Sequence, residues 1–287
     1  MKPAIIPTMS AAPHADLHLH SDRSDGLLAP AALVALAAER GVQMMALTDH
    51  DTVAGLAEAR AACAQAGLRF APGVEVSAAW RGQSIHVIGL GLRADDPPLG
   101  DHLEGLRALR GERIRAIGER LETRGRLPGR ERAAAVCAAA AVPTRMHLAR
   151  ALVAAGVAED LADVFKRLLG RGGPGHVPID WPTLDRTVAA LRDAGAQVVL
   201  AHPHRYKLSG GALRALVDEF AALGGHALEV CLGGIARHDI DRLATLVRRN
   251  RLAASSGSDF HDPSVPWNSP GRFAKLPADL EPVAMRL

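Results

Sequence analysis

Nine side chains in this 287-residue sequence offer the nitrogen and oxygen donors from which a metal centre is built: His18, His20, Asp25, His50, Glu75, His86, His202, Asp259 and His261. The densest group lies in residues 16–26, Asp-Leu-His-Leu-His-Ser-Asp-Arg-Ser-Asp-Gly. In an extended strand Asp16, His18 and His20 point to one side, while Leu17 and Leu19 point to the other, toward covering helices. Ser24-Asp25-Gly26 is a turn sequence able to bring a further carboxylate back toward the strand end. Taken singly, each of the nine is better explained as a hydrogen-bonded polar residue closing a strand than as a ligand. Together they argue otherwise. Several histidines and carboxylates crowded on one buried face without a cation would leave like charges close and polar groups unpaired, at a cost on the order of several kcal/mol. The set contains no sulfur. It suffices for two or three divalent ions with positions left for water and substrate, and its chemistry suits manganese, with zinc or iron as the other candidates.

The elements that must carry these donors alternate. After the opening strand, Pro30 and Gly41 bracket a helix. Residues 42–47 form an apolar run of strand length ending at Thr48-Asp49-His50-Asp51, and a helix spans about residues 52–66. Residues 68–76, with Glu75 between two valines, and 84–90, with His86 inside the apolar run, read as strands. The alternation then breaks. Residues 96–178, rich in Arg and Ala with helical periodicity, read as a helical insertion closed by residues 170–178 and capping the site. It resumes with helices over 184–193, 212–223 and up to 250, and strands over 197–201, 226–230 and 252–256. His202-Pro203-His204-Arg205 and Gly257-Ser258-Asp259-Phe260-His261 follow two of those strands. Seven strands alternating with helices fit a barrel or an open sheet. Candidates come from the first strand through the last, and only a closed barrel brings all strand ends to one face. The predicted fold is therefore α/β, a distorted seven-stranded TIM-like (βα) barrel over residues 14–95 and 179–287. Residues 1–13 read as a loose leader in which translation could begin at Met9, and the Pro-rich final residues as an outer wrap.

Composition narrows the classes further. Hydrophobic residues make up 48% but aromatic residues only 3%, so Ala, Leu and Val must do the packing and stacking platforms are scarce. Net charge is a mild +3, although nine arginines against four glutamates fall in residues 107–132. Helix-pair spacing at Arg115 with Glu119 and Glu122 with Arg126 makes a solvated amphipathic helix the better reading of that run, one that also steers anions toward the site. Cys63, Cys137 and Cys231 lack disulfide or zinc-site spacing, which fits a cytoplasmic protein. No apolar run reaches the length of a membrane span, and neither a membrane nor an obligate protein partner is expected.

The segments Asp-Leu-His-Leu-His, Ser-Asp-Gly, Thr-Asp-His, Gly-Val-Glu-Val-Ser, His-Val-Ile-Gly-Leu, Ala-His-Pro and Gly-Ser-Asp-Phe-His, in that order, resemble the polymerase and histidinol phosphatase (PHP) family of metal-dependent phosphoesterases. The resemblance implies a distorted (βα)7 barrel, called the PHP fold, with a trinuclear site. It places one metal on His18, His20, Glu75 and Asp259, a second on Glu75, His86 and His202, and a third on Asp25, His50 and His261. Asp16 is then left to orient a ligand. Within the family, Thr144-Arg145-Met146-His147-Leu148-Ala149-Arg150, Pro174-Gly175-His176-Val177-Pro178, Trp181 and Arg205-Tyr206 are similar to the branch that includes nucleoside 3',5'-bisphosphate phosphatase and the 5'-to-3' exoribonuclease ribonuclease AM. This chain departs from that branch at Gly173, His176 and His204, where the branch usually has Lys, Tyr and Gly.

The expected reaction is hydrolysis of a nucleotide phosphate ester by a metal-bridging hydroxide, with a nucleoside 3',5'-bisphosphate as the leading substrate. The 5' end of a short RNA is the alternative. His204 or His261 is the candidate acid for the leaving alkoxide. Arg145, His147 and Arg150, near the helix start at Pro143 and Thr144, together with Arg205, are the candidate phosphate-binding residues. Other readings are histidinol phosphate phosphatase, amidohydrolase-type C–N hydrolysis and a non-catalytic metal-binding module. The common binuclear amidohydrolase pattern needs a bridging strand lysine, and none of the four lysines, Lys2, Lys166, Lys207 and Lys275, falls on a candidate strand.

Overall fold

Seven strands follow one another round a single sheet in sequence order: β1 (Ala15–Asp16), β2 (Met44–Leu47), β3 (Arg69–Trp80), β4 (Gln83–Leu90), β5 (Gln197–Leu200), β6 (Ala227–Leu232) and β7 (Ala253–Gly257). The structure is a computed structural model describing residues 12–265 and 267–287. Most of the expected leader, with Met9, lies outside the described residues. The Leu17 N–H donates to the Ser256 carbonyl at 3.1 Å and Leu19 bridges Phe260, so the first and last strands meet and the sheet closes almost completely.

One expectation is corrected at β4. It runs antiparallel to both β3 and β5, so His86 lies mid-strand and not at a C-terminal strand end. The reason is length. Only Arg81 and Gly82 separate β3 from β4, both with positive φ (46° and 75°), which makes a tight hairpin, whereas a parallel return needs a crossover of about a dozen residues or more.

The barrel core has two layers. Outside the sheet, Leu33, Val34, Leu47, Val76, Leu191 and Phe220 pack beneath α1 (Pro30–Glu39), α2 (Leu56–Ala66) and the helices that follow β4. Inside it, Ala15, Leu17, Met44, Ala46, Ile88 and Val199 fill the end opposite the polar residues. Leu19 belongs to the outer layer and Leu17 to the inner one, so strict alternation fails after Asp16. The Asp16 carboxylate accepts the N–H groups of Ser258 (2.9 Å) and Gly271 (2.7 Å), which fixes the chain where β1 leaves the ladder. The final segment does not merely wrap the outside. Ala254 bridges Pro282, and Val283 and Ala284 join the inner layer, sealing the barrel floor.

Between β4 and β5 lie α3 (Pro97–Thr123), α4 (Gly129–Ala139), α5 (Arg145–Ala154) and α6 (Leu161–Asp163), which continues into a π-helical turn, Val164–Leu169. Asp96 caps α3 by accepting the Leu99 N–H at 3.2 Å, and Pro97 starts it. Leu99, Leu103 and Leu106 on its first half pack into the barrel's outer layer, while Ile114, Ile117 and Leu121 on its second half share a separate apolar cluster with Leu148, Leu152 and Val164. α7 (Leu184–Asp193), α8 (Gly210–Ala222) and α9 (Arg237–Asn250) complete the outer ring.

Candidate metal centre

Glu75 stands at the centre of the polar end, fully buried and pointing inward from the middle of β3. Its two oxygens serve different neighbours. Oε1 is 2.9 Å from His86 Nδ1 and 2.8 Å from His202 Nε2. Oε2 is 3.4 Å from His18 Nε2, 3.3 Å from His20 Nε2 and 2.9 Å from His50 Nδ1. Asp259 Oδ1 completes the first group, 3.3 Å from the Nε2 atoms of both His18 and His20. Spacings of about 3.3 Å are those of neighbouring ligands round a tetrahedral ion bound at 2.0–2.1 Å. Beside it, Asp25 Oδ1 is 3.3 Å from His261 Nε2 and 3.8 Å from His50 Nε2. All nine expected donors thus converge, in overlapping sets able to hold metal ions.

The donors fit cations better than they fit one another. His18 Nε2, both nitrogens of His20, Asp25 Oδ1, His50 Nδ1 and Glu75 Oε2 are buried without a hydrogen-bond partner in the protein, which native interiors seldom tolerate. Burial opposes a charge on His20, yet Asp259 and Glu75 overcome it and raise its pKa to about 10. Burial also opposes charge on Glu75, Asp25 and Asp259, and the surrounding histidines, joined at Asp259 by Arg205, nevertheless hold all three well below the usual carboxylate range. His50 is pushed down to about 4, chiefly by burial, which favours the neutral imidazole a metal requires.

A layer of buried groups holds these ligands in place. Glu229, mid-β6, meets His18 Nδ1 at 3.0 Å and accepts the His202 N–H at 2.7 Å, so one carboxylate fixes a ring and a backbone. That backbone is strained, with His202 at φ 29°. Asp49 binds the N–H (2.7 Å) and hydroxyl (2.6 Å) of Ser21 and the hydroxyl of Ser24 (2.7 Å), shaping the turn that carries Asp25. Asp51, at φ 49°, accepts the Ser77 N–H at 2.8 Å and Arg110 Nε at 2.6 Å. Sequence spacing revealed none of these roles. A glutamate inside the apolar run Ala227–Leu232 was the visible signal for Glu229.

A cleft of about 430 Å³ opens over the donors, lined on the insertion side by Arg110, Arg113, Arg145 and Phe165 and on the barrel side by Trp181, Arg205 and Tyr206. Arg205 pairs with Asp259, and Arg145 lies over the Phe165 ring. Arg113 is pushed down to about 9, first by burial and then by Arg145 and Arg110, the mark of like charges gathered where an anion would relieve them.

Arg110 and Arg113 come from the run expected to be solvated. Among the described residues the anticipated Arg115–Glu119 and Glu122–Arg126 pairs do not form. α3 ends at Thr123, and Arg130 takes both glutamates, at 3.0 Å and 3.7 Å. His147 and Arg150 do not line the cleft. His147 Nδ1 accepts the Thr144 N–H at 3.2 Å, closing a capping box, and Arg150 donates to the Asp25 carbonyl at 2.8 Å. His147 thus caps α5, and Arg150 ties that helix to the turn that carries Asp25. His204 also lies outside the lining, because the short 3-10 turn Pro203–Arg205 gives the cleft to Arg205. His261 does line it, but its Nδ1 faces the Asp259 carbonyl at 3.0 Å and its Nε2 faces Asp25, leaving no nitrogen for a leaving group.

Relatives agree with this geometry. The PHP domain model matches residues 16–90. The chain is 42% identical to the 5'-3' exoribonuclease of Escherichia coli (strain K12), over 93% of this chain and 92% of that protein. The chain belongs to the PHP family. PHP proteins are metal-dependent phosphoesterases, and this one is accordingly a hydrolase of phosphate esters. It is 39% identical to the 3',5'-nucleoside bisphosphate phosphatase of Chromobacterium violaceum, over 93% of this chain and 94% of that one. A solved structure from the same organism, described as an amidohydrolase with bound sulfate, matches the PHP barrel and its insertion with a TM-score of 0.89 at 38% identity, covering 95% of each chain. No described lysine of this PHP chain lies on a barrel strand, so the lysine-bridged amidohydrolase pattern has no counterpart here.

Proposed function

We propose that this PHP enzyme cleaves the 3'-phosphate ester of a nucleotide that also carries a 5'-phosphate, a nucleoside 3',5'-bisphosphate being the simplest case. The observation that carries the reading is the pairing, across one cleft, of the Glu75-centred donors with the unneutralised cluster of Arg113 and Arg145. One side suits the phosphoryl group that reacts and the other a second phosphate. His18, His20, Glu75 and Asp259 would hold one ion, Glu75, His86 and His202 a second, and Asp25, His50 and His261 a third. Manganese suits this nitrogen and oxygen set best. Divalent ions held there lower the pKa of water and take up charge developing on the phosphoryl group.

The chain's own residues do the rest. Glu75 divides its oxygens between ligand groups, Arg205 orients Asp259, and Arg113 and Arg145 fix the far phosphate so that the ester lies over the donors. Both nitrogens of His261 face other groups and His204 lies outside the cleft, so the leaving 3'-oxygen takes its proton from solvent.

The 5' end of an RNA is a second reading favoured by the same arginines, which need only a 5'-phosphate. In a 3',5'-bisphosphate and in a 5'-phosphorylated RNA the bond broken is the same one, between phosphorus and O3'. The first yields inorganic phosphate and the second a chain with a new 5'-phosphate. Three free thiols, and no helix long and apolar enough to cross a membrane among the described residues, accord with work in a reducing cytoplasm.

The test compares adenosine 3',5'-bisphosphate, a 5'-phosphorylated short RNA and histidinol phosphate in manganese. Turnover of the first is expected, with Arg145→Ala raising its KM by roughly tenfold or more. Preference for histidinol phosphate, which lacks a second phosphate, or no turnover of any of them, would sink the reading.

A further inference from the structure

Two of the three large hydrophobic side chains exposed among the described residues, Leu27 (48%) and Trp267 (59%), flank the same short segment, the one carrying Asp259 and His261. The Leu27 N–H donates to the His261 carbonyl at 2.8 Å. Trp267 follows six residues after His261. Its neighbour Asn268 donates to the Asp259 carbonyl at 3.2 Å, and the Asn268 N–H bonds the Val265 carbonyl at 3.2 Å, so the loop bearing the indole is fastened to the backbone of a metal-site residue. The ring lies against Gly234, just after β6, where an added Cβ would sit 3.5 Å from it in ordinary contact. Among the described residues the ring has no aromatic or cation–π partner, and its Nε1 has no hydrogen bond.

Single exposed apolar residues are common and need no explanation. Position separates this one. The protein has only 3% aromatic residues, and this tryptophan lies beyond the residues that line the cleft, in the loop after β7 and against the loop after β6, at the end of the barrel where the donors gather. The arginines that would take a 5'-phosphate come from α3 and α5 in the opposite wall. A nucleotide whose 5'-phosphate lies among them and whose 3'-phosphate lies on the donors directs any further chain toward the β6 and β7 loops. An open indole there offers a face to a base of any identity.

We infer that Trp267 is a stacking platform for the nucleobase just beyond the scissile phosphate when the substrate is a 5'-phosphorylated oligoribonucleotide. The inference rests on the phosphoesterase reading above and adds to it the subsite on the leaving side. Sequence preference is weak at such a platform, because stacking does not read base edges.

The test measures wild type, Trp267→Ala, Trp267→Leu and Trp267→Phe on adenosine 3',5'-bisphosphate and on 5'-phosphorylated oligoadenylates of two and five nucleotides. For the oligonucleotides the Ala and Leu variants raise KM at least about fivefold with kcat unchanged, and Phe recovers most of the loss. All variants match wild type on the bisphosphate, which has nothing beyond the scissile phosphate to stack. The Leu variant keeps apolar bulk on Gly234, so it separates loss of stacking from loss of loop structure. Oligonucleotide KM values unmoved in both variants, equal losses on bisphosphate and oligonucleotide, or a wild type that cleaves the bisphosphate but no oligonucleotide would overturn the inference alone. A wild type inert on the bisphosphate also would overturn the reading beneath it.

Discussion

Asp16 lies two residues before His18, fully buried, with a carboxylate bonded to the backbone N–H groups of Ser258 and Gly271 and directed at no ligand side chain. Burial raises its pKa from 3.8 to about 6, against the lowering effect of those bonds. Between those two values the folded chain keeps a proton that the unfolded chain has released. Stability therefore falls as pH rises through that window, and the ionised group costs on the order of 3 kcal/mol above it. Asp16→Asn is expected to flatten the pH dependence of the urea midpoint between about pH 4 and 6. Identical slopes in variant and wild type would remove Asp16 as its source. At this scale the nine donors were legible because chemistry restricts metal ligands to few residue types and these recur where apolar runs end or, as at Glu75 and His86, interrupt one. Glu229 was not, since its meaning depends on β6 lying beside both β5 and β7, which no local spacing records. The acid roles expected of His204 and His261 find no support in the geometry, because His204 does not line the cleft and both nitrogens of His261 face other groups. Motif position gives proximity, whereas hydrogen-bond partners decide which nitrogen is available.

Helix α5 does more than bring Arg145 to the cleft. Through Arg150 and the Asp25 carbonyl it is tied to the turn whose carboxylate faces His50 and His261. Arg150→Ala is expected to loosen that group selectively, lowering metal content by about one ion per chain and activity roughly tenfold. Plasma emission analysis after equilibration in limiting manganese checks it, and unchanged metal content would show that the tie is merely structural. Element positions were largely legible from periodicity, with β2 and α7 falling where the apolar pattern ends and caps begin. The direction of β4 was not read, although Arg81-Gly82 is short enough to have shown it. The split character of α3 was also hidden, because its arginines at 110 and 113 look in sequence like Arg115 on the same helix and Arg130 on α4 and differ only in what lies opposite them.

At the scale of the whole molecule the site is made of groups that crowd one another without cations, so metals and fold are thermodynamically linked. Chelation of the manganese-loaded enzyme is expected to lower its melting temperature by roughly 5–10 °C, the shift corresponding to a ligand present at about a hundred times its dissociation constant. Calorimetry before and after chelation, with manganese restored as a control, measures it, and an unshifted transition would mean that the protein alone satisfies these groups.

The floor of the barrel has a consequence for how the enzyme comes into being. Val283 and Ala284 fill the inner layer beneath the first strand, while donors run from His18 to His261. During synthesis the N-terminal half can form its helices, but the ring cannot close until Phe260 has left the ribosome, nor its base be sealed until residue 284 has followed. The emerging chain therefore carries six of its nine donors, with no ring to hold them, while residues 87–201 are made.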